Sequence, residues 1–110
     1  MRVLALVTVA MMVAGTAVAV ADDPVQSVIV IKDNKFVPAE LRVPAGKRIT
    51  LTVDNQDATP EEFESKTLRV EKVVPGGSKG IVRFGPLVAG TYDFFGEFHE
   101  DSAQGKVIAE

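Results

Sequence analysis

From Val25 onward the apolar positions recur with the two-residue period of a strand, and no window holds the long i, i+3, i+4 stripe of a helix. Ile49, Leu51 and Val53 share one face and Arg48, Thr50 and Thr52 the other, until Asp54-Asn55-Gln56-Asp57 ends the alternation. Val28-Ile29-Val30-Ile31 is a short β-branched run closed by the turn formers Asp33-Asn34. Leu41-Arg42-Val43 stops at Pro44-Ala45-Gly46, and Leu68-Arg69-Val70-Glu71-Lys72-Val73 stops at Val74-Pro75-Gly76-Gly77. Ile81 to Phe84, Thr91 to Phe95 and Lys106 to Ala109 complete the set. Short strands at regular spacing with Pro and Gly between them predict an all-β domain. The expected form is a two-sheet Greek-key β-sandwich of about seven strands.

Residues 1–21 follow another rule. Arg2 precedes an apolar run from Val3 to Ala21, which closes on Ala17-Val18-Ala19-Val20-Ala21 and then Asp22-Asp23-Pro24. A positive start, an apolar middle and a small-residue exit predict a secretory signal peptide over 1–21, cleaved after Ala21 or after Ala19. An uncleaved membrane anchor is the alternative. Cleavage leaves residues 22–110 as one domain, periplasmic and without stable membrane insertion. Composition then changes meaning: residues 1–21 hold 17 of the apolar residues, and 22–110 hold 34 in 89 positions. Without Arg2 there are 11 basic and 15 acidic side chains, so no basic patch suggests nucleic acid.

The chain has no Cys, which excludes disulfides and thiolate metal sites. All three Met (Met1, Met11, Met12) lie in the first segment, and His99 is the one imidazole. Nothing resembles a nucleophile elbow, and Pro75 to Gly80 is a turn rather than a phosphate loop. What remains is His99 beside Glu97, Glu100 and Asp101, and the acidic run Glu61, Glu62 and Glu64. Glu97 and His99 are two apart, so extended chain projects both to one side. Glu62 and Glu64 share a strand face opposite Glu61, which sets the three against binding one ion together. A solvated edge strand is the plain alternative for that run. Tyr92 and Phe94 share one face and Phe95 the other, with Phe98 a candidate wall for the site.

Gly90-Thr91-Tyr92-Asp93-Phe94-Phe95-Gly96-Glu97-Phe98-His99, followed by Gly105-Lys106-Val107, resembles the closing strands of cupredoxins. Phe36-Val37-Pro38, with Leu41-x-Val43-x-Ala45-Gly46, resembles an earlier strand and turn of that family. Asn55 to Glu61 resembles the segment carrying its first histidine ligand. The resemblance implies a sandwich of cupredoxin type. It puts the family's first His at Glu61, its Cys at Gly96 and its axial Met within Ser102-Ala103-Gln104, leaving His99 alone in place. A blue-copper centre needs a thiolate and two imidazoles, so this chain does not build one.

The run Glu61-Glu62-Phe63-Glu64-Ser65, with Glu71-Lys72 and Phe95 to His99, looks like the cupredoxin-like components of bacterial ferrous-iron uptake, the Ftr-type small component and the EfeO-type N-terminal domain. That resemblance implies capture or oxidation of Fe(II), copper-assisted in some forms, with periplasmic or membrane components of an iron-uptake system as partners. The expected metal ligands are His99 and Glu61, with Glu97, and Glu62 or Glu64 besides. Iron or copper is the expected metal, because carboxylate and imidazole donors suit Fe(II), Mn(II), Zn(II) and Cu(II) and disfavour Cu(I). The alternatives are a non-metal β-sandwich interaction module, an electron-transfer relative with an altered copper site, and a ferroxidase in its own right.

Overall fold

A computed structural model of the chain describes Ala10 and residues 23–110. The signal peptide expected over 1–21 and its cleavage sites lie, Ala10 apart, outside the described residues. Among the described residues no helix is long and apolar enough to cross a membrane.

Among the described residues, nine strands form two sheets. They are β1 (Val25–Lys32), β2 (Lys35–Val37), β3 (Glu40–Val43), β4 (Ile49–Asn55) and β5 (Glu61–Ser65), then β6 (Val70–Val74), β7 (Lys79–Phe84), β8 (Gly90–Gly96) and β9 (Gln104–Ala109). One sheet has the order β2-β1-β4-β7 and the other β3-β9-β8-β5-β6. The chain changes sheet at five of its connections, and β1–β4 and β3–β9 are the parallel pairs. The β-sandwich read from the alternation is therefore present, with two strands more than expected.

The two additional strands have different causes, one local and one tertiary. Asp33 and Asn34 adopt left-handed conformations with φ of 53° and 57°, as a two-residue hairpin turn demands. The turn sends Lys35–Val37 back along β1, and the Asp57 carboxylate accepts from the Asp33 and Asn34 backbone N–H groups at 2.9 Å each. The acidic run 61–65 pairs with β6 on one side and β8 on the other, so it is an interior strand, not an edge.

Strand β5 joins the core through alternate residues. Glu61, Phe63 and Ser65 point inward and Glu62 and Glu64 outward. Phe63 packs edge-on to Phe36, with centroids 5.8 Å apart, and at 4.9 Å from Phe94. Ile29, Ile31, Leu51, Val53, Val74 and Val107 complete the centre of this interior. Buried Asn55 anchors the loop that feeds β5: its Nδ2 donates to the carbonyls of Thr59 and Val74, and its Oδ1 accepts from the Asp57 N–H.

Candidate metal centre

The inner and outer faces of β5 hold two different carboxylate environments. On the inner side, at the end of the sandwich, Glu61 is 1% exposed. Its Oε1 accepts the backbone N–H of Glu62 at 3.0 Å and of Phe98 at 2.9 Å. Its Oε2 lies 2.5 Å from His99 Nδ1. With Oε1 already accepting two N–H groups, the geometry makes the imidazole the donor through Nδ1.

His99 reaches this position because residues Glu97–His99 form a 3-10 turn. The His99 carbonyl accepts the Ala103 N–H at 2.8 Å and the Ala103 carbonyl accepts the Gly96 N–H at 2.8 Å, which closes the loop onto the end of β8. Gly96 has no side chain, and the reason is visible. A Cβ there would sit 2.6 Å from Glu61 Cδ and 2.7 Å from the Ala103 Cβ.

On the outer side, Glu62, Glu64, Glu71 and Glu97 each offer one carboxylate oxygen, all within 4.8 Å of one another. Two donors opposite each other across a cation, at about 2.1–2.4 Å from it, lie about 4.2–4.8 Å apart, so the spacing suits one ion. Glu62 is buried among these carboxylates. The neighbouring Glu71 carboxyl, partial removal from water and Glu97 together push the Glu62 carboxyl up to about 8. Glu64 is also raised, chiefly by Glu97 and then by loss of water contact, with Lys66 opposing. Mutual repulsion of these carboxylates favours a proton, or a cation, in the cluster.

The five expected ligands are thus divided. The structure unites Glu61 with His99, and separately unites Glu62, Glu64 and Glu97. The expectation that Glu97 and His99 project to one side assumed extended chain. The 3-10 turn rotates them apart, so His99 meets one carboxylate and Glu97 joins the outer set. The opposition of Glu61 to Glu62 and Glu64 is as strand period predicts. Phe98, expected as a wall of the site, is half exposed at 49% and lies beside both Glu97 and His99 in the 3-10 turn. Glu71 is absent from the expected set. The β5–β6 register pairs Glu64 with Glu71, and the signal for it is the hairpin spacing between the Glu61–Ser65 run and Glu71.

A cupredoxin-like domain model matches residues 3–109. An uncharacterized protein of Rickettsia prowazekii (strain Madrid E) is 47% identical over 88 residues, which is 79% of this chain and 70% of that protein. Among solved structures, auracyanin A, a blue copper protein of Chloroflexus aurantiacus, aligns with a TM-score of 0.69. It is 20% identical and covers 80% of this chain and all of its own. The metal-binding domain of a Cu(I)-exporting P-type ATPase of Streptococcus pneumoniae D39, solved with Cu(I), aligns at 0.62, with 15% identity, over 77% of this chain and 84% of its own. These two likenesses are of fold. The copper that such neighbours hold finds no matching donor set here: the chain has no thiolate, and the Glu61 carboxylate fills the space above Gly96.

Proposed function

This chain belongs to the cupredoxin-like domain family, and from that premise we propose that it is an extracytoplasmic metal-binding protein that captures a hard cation, iron first, on the outer face of β5. Glu62, Glu64 and Glu97 are the donors, and Glu71 completes the set. The observation that carries this reading is the gathering of four carboxylate oxygens within 4.8 Å, with the Glu62 carboxyl pushed up to about 8. Oxygen-only donors suit Fe(II), Fe(III) and Mn(II) over Cu(I). Four carboxylates favour Fe(III) over Fe(II), because the higher charge gains more from anionic neighbours. The resemblance of the Glu61–Ser65 run to components of ferrous-iron uptake supports a place beside an iron permease, and the apolar segment 1–21 supports a periplasmic location.

The test is calorimetric titration of the metal-free chain with Fe(II) under argon, and with Fe(III) and Cu(II). Binding is expected to be lost in Glu62→Gln/Glu97→Gln and kept in His99→Ala. Below pH 8 each ion bound releases a proton, so affinity rises with pH up to that value. Absence of binding tighter than roughly millimolar, about −4 kcal/mol, overturns the reading and leaves the acidic face as a docking surface for a basic partner. Oxygen-dependent loss of Fe(II) at catalytic protein concentrations extends it to a ferroxidase.

A further inference from the structure

His99 is the one imidazole of the chain, at the position that the resemblance to cupredoxins gives to a metal ligand. Its Nδ1 is already engaged with Glu61 Oε2 at 2.5 Å. The other oxygen of Glu61 is held by two backbone N–H groups, so the carboxylate is fixed and not a mobile arm. Its Cδ lies in the space a side chain on Gly96 would need, and the Ala103 Cβ walls the far side at 2.7 Å from that point. No buried polar side-chain atom among the described residues is left without a partner. The place is therefore filled and satisfied by the chain itself.

We infer that Glu61 is the specificity-determining residue of this end of the sandwich: its carboxylate closes the position between Gly96, His99 and Ala103 against metal. By holding His99 and the Phe98 N–H together, Glu61 links β5 to the 97–99 turn, the connection a metal bridging the two would otherwise make. A carboxylate that satisfies a donating Nδ1 leaves that nitrogen no lone pair for a cation. Two substitutions then reopen the place. Glu61→His removes the carboxylate and supplies a second imidazole, and Gly96→Cys supplies the thiolate, together giving the donor set of a copper–thiolate centre.

The experiment has two arms, both on the full chain. In the first, 15N NMR of the lone histidine follows Nδ1 while Zn(II) is added to the wild type. The Nδ1 proton is expected to persist at stoichiometric metal. Its loss, with a coordination shift at Nδ1, overturns the inference. In the second, Gly96→Cys and Glu61→His/Gly96→Cys are titrated with Cu(II). The intense visible absorption of a copper thiolate is expected in the double variant and not in the single one. The same absorption in both, or in neither when the double variant is folded by circular dichroism, overturns it. If the double variant does not fold, the NMR arm decides alone. Neither arm reads the outer carboxylates, so this inference and the proposed function fail independently.

Discussion

Glu61 and Glu62 are adjacent on β5, both nearly out of contact with water, and they meet opposite surroundings. Glu61 turns inward to two backbone N–H groups and an imidazole. Glu62 turns outward to three other carboxylates. Burial by itself therefore says little about what a carboxylate does, and the sign of its partners decides. A carboxylate ringed by donors is a structural clasp. One ringed by carboxylates keeps a proton or takes a cation.

The contrast breaks most visibly at the clasp. Glu61→Ala removes an acceptor from three donors and is expected to cost about 3 kcal/mol, the scale of leaving buried hydrogen-bond donors without a partner. For a domain of this size that lowers Tm by roughly 10–20 °C in a thermal melt. It is also expected to weaken metal binding on the outer face, because the freed 97–99 turn no longer holds Glu97. Full outer-face affinity in a folded Glu61→Ala chain would show that the two faces are independent.

Gly96→Ala is a smaller insult of the same kind. The added Cβ meets Glu61 Cδ at 2.6 Å and the Ala103 Cβ at 2.7 Å, and overpacking of this sort costs about 1–3 kcal/mol. A double-mutant cycle with Glu61→Ala, read by denaturant melts, is expected to show that part of that cost disappears once the carboxylate is gone. Strict additivity would mean that Gly96 answers to Ala103 alone.

The outer face is expected to show itself through pH. A carboxyl raised from 4.5 to about 8 on folding leaves the folded chain with more bound protons than the unfolded chain across that interval. The unfolding free energy of the metal-free protein therefore falls as pH rises from about 4.5 to about 8. Melts in chelator-treated buffer at pH 5 and pH 8 test this: Tm is lower at pH 8, Glu62→Gln flattens the difference, and a bound cation restores the loss. A Tm that climbs through the interval would show that the outer carboxylates do not repel one another.

Much of this molecule can be read along the chain. The alternation of Ile49, Leu51 and Val53 identifies the buried face of β4, and Asp33-Asn34 marks the turn after β1. The opposition of Glu61 to Glu62 and Glu64 needs only the two-residue period of a strand. The place of β5 inside the sheet is harder to read, because Glu-Glu-Phe-Glu-Ser has one apolar residue and the polarity of a solvated edge. Its strand conformation is imposed by β6 and β8 on either side, a case of tertiary pairing overriding local preference.

By itself the sequence determined the class of fold, the absence of sulfur ligands from the sandwich, and which acidic side chains share a face. These follow from residue types and local period. Which groups meet across the structure was decided only by tertiary contact. Strand register brought Glu71 to Glu64 from the next strand, and one 3-10 turn parted Glu97 from His99. The packing of the 97–103 loop placed Glu61 where Gly96 leaves room. Periodicity sets the side of a strand a residue occupies. Only the pairing of distant segments sets what stands opposite it.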